Sequence, residues 1–151
     1  MTNVERVKRE RAELAEDPTL NAVAKAHSEA MARKFDELLA KGIDVAEAHS
    51  KALKHDVGEG SFVDRLRAAA PNVYQNSAEA ISSGYRERSS DGVRWTVVPY
   101  SHSPSQTVRG WLTSTKGHRE DLLDPDFTRH GVGVAYGKGG VPFVTQVYGR
   151  T

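Results

Sequence analysis

A change in hydrophobic periodicity near Gly131 is the feature that most constrains what this chain can fold into. Before that point the apolar residues recur at helical spacing, whereas residues 131–136 read Gly-Val-Gly-Val-Ala-Tyr and alternate with a period of two. Such alternation is typical of a strand with one buried face. Strands are therefore predicted over residues 132–136 and 143–148, joined by a hairpin at the glycine-rich residues 137–140.

The segments before Gly131 are predicted to be mainly helical. Amphipathic spacing indicates three long helices and one short helix, over residues 18–41, 61–70, 104–116 and 44–54. The long helices start after Asp17, Ser61 and Ser103, whose side chains can accept hydrogen bonds from free N–H groups of the first turn. Residues 1–17 are predicted to form a charged helical arm, and residues 18–151 a single domain of the α+β class.

Composition excludes several classes of function. An apolar fraction of 38% and a charged fraction of 27% describe a globular chain, and the net charge of +1 provides no basic surface for nucleic acid. The chain has no cysteine, which rules out disulfides and thiolate chemistry. No apolar run approaches the ~20 residues of a transmembrane helix. The charged first ten residues lack the apolar core of a signal peptide, so we expect either a processed domain or a cytoplasmic protein.

A histidine near the end of the third long helix is the first candidate for function. Trp111, Thr115 and His118 are spaced four and three residues apart, so a continuous helix would stack them on one face. Gly117 tolerates a positive φ and is predicted to end that helix, which leaves His118 at a break. A histidine at a helix break is well placed to face a cleft.

Several elements around this histidine resemble the CAP superfamily, which comprises cysteine-rich secretory proteins, antigen 5 and plant pathogenesis-related proteins. The elements match its prokaryotic SCP-domain branch in order and spacing: Trp111, Ser114, Gly117-His118-Arg119, Pro125, Gly131-Val132-Gly133 and Thr145-Gln146-Val147-Tyr148-Gly149. Ala24, His27, Ser28, Met31 and Ala32 repeat the pattern of that family's first long helix. The resemblance implies an α-β-α sandwich, with a small antiparallel sheet between helical layers and a central cleft.

The resemblance also implies which residues line the cleft. His55, Glu79 and His118 correspond to cleft residues of the family, although alanines replace the Gly and Asn that usually flank the glutamate. Ser114 stands where many members carry a second glutamate. In those members the second glutamate completes a tetrad of cleft residues. In this chain the fourth residue of the tetrad is either missing or supplied from elsewhere, with Glu59, Glu87 and Glu120 as candidates. The other two histidines at buried helical positions, His27 and His49, are interpreted as packed core residues.

Two chemistries are open to such a cleft. His55 and His118, with Glu79 beside them, could form an open site for Zn²⁺ or another divalent cation. The same side chains could instead bind a ligand by hydrogen bonds. Ser114 near His118, without an identified orienting acid, is a weak indication of a nucleophile. The glycine-rich runs lack the strand-loop-helix context of a nucleotide site, so no organic cofactor is expected.

Residues 83–102 are predicted to be an insert at the edge of the cleft. Asp91-Gly92 is a hairpin-type turn, and Val93, Trp95 and Val97 alternate with polar residues. An extra strand or flap is therefore expected there.

The leading functional hypothesis is a non-enzymatic binding module with an unidentified ligand or protein partner in its cleft. The alternatives are a metal-dependent, peptidase-like hydrolase in which Glu79 serves as general base, and a purely structural or interaction domain. The resemblance implies an extracellular location, and the cytoplasm is the alternative.

Overall fold

The described helices lie before Gly131 and the predicted hairpin follows it, but four of the six described strands also precede Gly131, including the unpredicted strand at residues 76–83. The computed structural model describes residues 1–89, 95–99 and 103–151, with the backbone alone for 85–89 and 95–99. The helices, α1 to α6, are Thr2–Val7, Pro18–Ala40, Val45–Ala52, Phe62–Ala69, Pro104–Leu112 and His118–Leu123. The strands, β1 to β6, are Ala15–Glu16, Asn76–Ser83, Tyr85–Ser89, Trp95–Pro99, Arg129–Gly137 and Val141–Arg150. A 3-10 turn at Lys138–Gly140 joins β5 to β6, which confirms the predicted hairpin.

The main sheet has four strands in the order β1-β5-β6-β2. Strand β6 pairs antiparallel with both β5 and β2, as predicted for the sheet. The short strand β1 pairs with β5 in parallel, with Ala15 beside Arg129, so the sheet is mixed and not purely antiparallel. This parallel edge strand belongs to the N-terminal segment that was predicted to be helical.

Helical layers cover both faces of this sheet, which confirms the α+β class and the α-β-α sandwich. On one face, Val141, Phe143 and Val147 of β6 pack against α2. On the other face, Val144 and Tyr148 pack against a cluster from α5, α6 and the following turn: Val108, Trp111, Leu122 and Phe127. Every residue of β6 except Arg150 is buried, because apolar layers lie on both sides of it.

Helix α2 lies directly on the backbone of β5. A Cβ atom added to Gly131 would lie 2.1 Å from the backbone nitrogen of Asn21, and one added to Gly133 would lie 2.2 Å from that of Lys25. Side chains at these positions would therefore push the helix off the sheet. The hydroxyl of Ser28 strengthens the contact by donating to the carbonyl oxygen of Gly133 at 2.9 Å. The Gly-Val-Gly run thus serves close packing.

Polar side chains fix the N-terminal segment on the domain. Helix α1 ends at Val7, well short of the predicted helical arm. The guanidinium of Arg6 is buried and donates to the carbonyl oxygens of Ala12, Leu122 and Asp124, at 2.8, 2.7 and 3.1 Å. The side chain of Asn3 bonds to both backbone groups of Leu14, which brings the chain into position for β1.

The third long helix is shorter than predicted, and the predicted stacking of Trp111, Thr115 and His118 on one helical face is wrong. Helix α5 ends at Leu112 and α6 begins at His118. The hydroxyl oxygen of Ser114 accepts a hydrogen bond from the N–H of Lys116, a local bond that competes with helical pairing. Gly117 has the predicted positive φ, 94°, but precedes α6 instead of ending α5.

The predicted insert contains a second, two-stranded sheet. The backbones of β3 and β4 pair antiparallel, with Tyr85 opposite Pro99 and Ser89 opposite Trp95. Strand β4 lies beside β6 and the 3-10 turn. The predicted turn at Asp91-Gly92 falls outside the described residues.

The contact between α2 and β5 generates a stability prediction. Gly133→Ala should lower the free energy of unfolding by about 3 kcal/mol or more, because the new methyl group meets helix backbone that cannot move without losing the sandwich. Gly110→Ala is the matched control: the site is exposed in α5 and has no atom within 4 Å of an added Cβ. That variant should gain about 0.5–1 kcal/mol. Urea denaturation measures both, and equal effects would refute the close-packing role.

Candidate functional site

Glu79 is the centre of a polar cluster beneath the surface of the domain. It lies on β2 opposite Val147, and its side chain is 1% exposed. Its Oε1 accepts from Nδ1 of His55 and from Nη2 of Arg65, both at 2.9 Å, and Oε2 lies 2.9 Å from the same Arg65 nitrogen. A buried carboxylate requires such partners, since an unpaired one would lose its hydration without compensation.

The bond to Glu79 determines which nitrogen of His55 is available. The Nδ1 atom of this ring faces a carboxylate oxygen, so it carries the proton of the neutral ring. The lone pair therefore resides on Nε2, which has no hydrogen-bond partner among the described residues. Because the His55 side chain is 51% exposed, this nitrogen is available as a ligand or as a proton acceptor.

Arg65 holds the cluster together, although no role was predicted for it from the sequence. It lies on α4, and its Nη2 also donates to the carbonyl oxygen of His55 at 2.9 Å, while Nε donates to that of Gly60 at 3.3 Å. Its guanidinium carbon is 5.8 Å from the ring centre of Phe62, within the range of a cation–π contact. The sequence signal for it was the Arg65-Leu66 pair that follows the glycine-containing loop after His55.

His118 lies close enough to His55 for the two rings to interact electrostatically. It is the first residue of α6 and is half-buried. Burial lowers the pKa of His118 below its ordinary value, and the positive charge that His55 can carry lowers it further. Asp121 on the same helix opposes the shift. The structure thus brings His55 and Glu79 into direct contact, with His118 nearby.

The other predicted carboxylates and the serine occupy different positions. Ser114 is engaged in the turn before α6, and no hydrogen bond joins it to His118 in the described part of the chain. Glu59 contacts Nδ1 of His27 at 2.5 Å, so it supplies a carboxylate to the cluster from another side. Glu120 lies on α6 and raises the pKa of His118 only weakly. The side chain of Glu87 is outside the described residues.

Of the two histidines interpreted as core residues, one is fully buried and the other, His49, is half-buried. His27 is fully buried, and its Nε2 lies 3.7 Å from Oε1 of Glu79. The Nε2 atom of His49 is 2.8 Å from the hydroxyl of Ser83, and its ring packs near Phe35 and Phe143. Burial lowers the pKa of His49 to about 4.

The donor set limits how a metal could be held. Within residues 1–89, 95–99 and 103–151, no three His, Asp or Glu side chains converge as a ligand group. Both oxygens of Glu79 are hydrogen-bonded to Arg65, a cation that would compete with a metal ion. The imidazoles of His55 and His118 are the predicted metal ligands that Arg65 does not engage.

Comparison with known proteins identifies relatives along the whole length of the chain. The sequence model of the CAP group, the Cysteine-rich secretory protein family, matches residues 1–148. An extracellular protein of Bacillus anthracis that contains an SCP domain is similar in structure, with 28% identity and a TM-score of 0.62. The alignment covers 99% of this chain and 38% of that protein, so this chain spans less than half of its length. A search of curated proteins finds no match.

Two more distant structures share the fold. An outer surface protein of Borrelia burgdorferi has a TM-score of 0.64 at 16% identity, and the alignment covers 99% of this chain and 86% of that one. A cysteine-rich secretory protein of Staphylococcus aureus has a TM-score of 0.58 at 12% identity, with coverage of 99% and 36%. In the described part of this chain, none of the helices has the length and apolar character needed to cross a membrane.

The buried ion pair between Glu79 and Arg65 generates the second prediction. Glu79→Gln should lower the free energy of unfolding by about 2–4 kcal/mol, because it leaves a largely buried guanidinium without its counter-charge. Glu47→Gln is the control, since Glu47 and Lys51 form an exposed pair at 2.7 Å. This control should change stability by roughly 0.5 kcal/mol or less. If chemical denaturation gave both variants the same stability, the pair would have no structural importance.

Proposed function

This chain belongs to the CAP (cysteine-rich secretory protein) family, and we propose that it is a non-enzymatic binding module whose cleft takes its ligand at His55 and His118. One observation carries the proposal. The hydrogen bond from Nδ1 of His55 to Glu79 leaves the Nε2 lone pair of an exposed ring free to bind. Glu79 itself is covered, so it orients the histidine and does not contact the ligand.

A divalent cation is the ligand that we propose first. Neutral imidazoles suit Zn²⁺, Cu²⁺ and Ni²⁺, and His55 and His118 would each contribute one nitrogen. Glu79 would then act in the outer shell, where a carboxylate fixes the tautomer and orientation of a metal-bound histidine. Bound zinc would supply Lewis acidity and lower the pKa of a coordinated water. With two imidazoles as its protein ligands, such a site would bind the ion more weakly than a three-ligand catalytic centre.

The proposed absence of turnover rests on the positions of the polar groups. A general base must lie within hydrogen-bond reach of the proton that it abstracts. Glu79 is 1% exposed and accepts bonds from two side chains, so it is poorly placed for that role. The hydroxyl of Ser114 serves the turn before α6. These positions disfavour the predicted hydrolase in which Glu79 abstracts the proton.

The alternative function with specific support is hydrolysis that uses His55 as the base. Its Nδ1 bond to Glu79 reproduces the orienting contact between a carboxylate and a histidine in catalytic triads. A purely structural or interaction domain is the further alternative, and it would leave His55 without a ligand.

We also propose that the protein acts outside the cell, on a ligand or partner there. The support is its similarity to a Bacillus anthracis protein described as extracellular. The cytoplasm is the alternative location.

Zinc binding is the first test of the proposed function. Wild-type protein should bind Zn²⁺ in isothermal titration calorimetry, and the His55→Ala, His118→Ala double variant should lose the heat of binding. Affinity should decrease as the pH falls below ~6, because a protonated imidazole cannot ligate. Since the pKa of His118 is lowered, its contribution should persist below the ordinary value of about 6.5.

His130→Gln is the control, because His130 lies outside the cluster, with its Nδ1 bonded to Gln146. This variant should bind zinc with wild-type affinity. Equal binding by wild type and the double variant would refute the site.

The second test concerns turnover. A panel of peptide and ester substrates, with and without added zinc, should be hydrolysed by wild type no faster than by His55→Ala. The physical reason is the lack of a positioned nucleophile beside an accessible base. A clear wild-type rate that disappears in both His55→Ala and Glu79→Gln, with zinc still bound by the latter, would favour the hydrolase instead.

A further inference from the structure

His27 is a buried side chain that contacts the loop carrying His55 at two points. Its Nε2 atom donates to the carbonyl oxygen of Lys54 at 2.9 Å, directly before His55 in the chain. Its Nδ1 atom contacts Oε1 of Glu59, five residues further on. One ring on α2 therefore bonds to both ends of the segment 54–59.

The hydrogen-bond partners of the two His27 ring nitrogens show how many protons these contacts require. A carbonyl oxygen only accepts, so the proton at Nε2 belongs to the ring. The contact between Nδ1 and a carboxylate oxygen needs a second proton between the two atoms. His27 and Glu59 together thus form a pair with no net charge, which makes the burial of the ring compatible with the apolar helix interface.

Side-chain contacts, and not regular secondary structure, hold the loop in place. Residues 53–61 lie between α3 and α4 and form no helix or strand. The side chain of Asp56 accepts from the N–H groups of Gly58 and Gly60, at 2.8 and 3.3 Å, and both glycines have positive φ. These bonds shape the loop internally. Its attachment to the domain combines the hydrogen bonds of Arg65 and His27 with the packing of Leu53 and Val57 against the core.

Helix α2 provides His27 with a rigid base. The neighbouring Ser28 donates to the carbonyl oxygen of Gly133 and lies 2.8 Å from the hydroxyl of Thr145, so this turn of α2 is joined to β5 and β6. Glu79 lies on β2, which pairs with β6. The distance between the loop and Glu79 is therefore determined by the contact of α2 with the sheet.

We infer that His27 and Glu59 are positioning residues, which hold the 54–60 loop so that His55 meets Glu79 with its Nε2 directed outward. Ligand binding at His55 depends on this pair although neither residue contacts the ligand. The inference rests on the proposed function for its ligand, and on the geometry alone for the position of the loop.

The experiment compares four variants of the full chain by zinc titration and by hydrogen exchange of the loop amides. His27→Leu and Glu59→Ala should each lower zinc affinity about tenfold or more, the usual effect of removing an outer-shell partner. The amides of residues 54–60 should exchange faster in both variants, while those of β6 stay protected. Glu59→Gln should restore affinity and protection, because its amide N–H can donate to Nδ1 of a neutral ring.

Thr2→Val is the matched control. It removes a buried hydrogen bond, from the hydroxyl of Thr2 to Oε1 of Gln146 at 2.9 Å, that involves neither α2 nor the loop. It should lower the melting temperature and leave zinc affinity and loop exchange within about twofold of wild type. If it loosened the loop as much as His27→Leu, the effect would be general destabilisation and the inference would be wrong.

The two readouts separate the inference from the proposed function. Wild-type protein that binds no zinc would refute the proposed cation, whereas the exchange of the loop amides would still test the positioning role. The Glu59 side chain is partly exposed, so Glu59→Ala should fold even if His27→Leu does not. If the loop amides of Glu59→Ala exchanged no faster than those of wild type, the inference would be wrong.

Discussion

The contact between the backbones of α2 and β5 is the constraint on which the rest of the structure depends. It requires glycine at 131 and 133, since any Cβ atom there would overlap the helix. At this short distance, Ser28 reaches Gly133 and Thr145, and the next residue back, His27, is directed towards the 54–60 loop. A wider helix-to-sheet distance would displace the loop from Glu79. Packing at one interface therefore determines geometry at the candidate site.

Charge compensation explains why the buried cluster is stable. Glu79 is paired with Arg65, and Glu59 contacts Nδ1 of the buried His27 ring. Burial of the Glu79 carboxylate without its partner would be strongly unfavourable. Arg65 suits this role better than lysine would, because its planar fork bonds to Glu79 and to the carbonyl oxygens of His55 and Gly60 at once. The exposed His55 ring is the part of the cluster that remains available to a ligand.

Much of the fold could be predicted, because periodicity and capping are local signals. The strand alternation after Gly131, the hairpin at 137–140 and the helix start at Asp17 each depend on a few neighbouring residues. The helix break after Leu112 is not predicted by the helical spacing, because the local bond that the Lys116 N–H donates to the Ser114 hydroxyl competes with helical pairing. The docking of Arg6 onto Leu122 joins residues 116 positions apart. Such a contact leaves no periodic signature in the sequence.

The candidate site could be predicted only through the family resemblance. The resemblance indicated the cleft residues but not the residues that hold them in place. It selected Glu79 as a cleft residue, yet the carboxylate is covered and acts through His55. It gave no site role to His27 or Arg65. Both side chains are largely buried and support the cluster through hydrogen bonds to the loop of His55 and, for Arg65, to Glu79. Where the family has a second glutamate, Ser114 shapes a turn, and the second carboxylate of the cluster, Glu59, faces a buried ring. Because Glu79 is covered and bonded to Arg65 and His55, it is poorly placed as a general base, which supports the proposed binding function over the hydrolase.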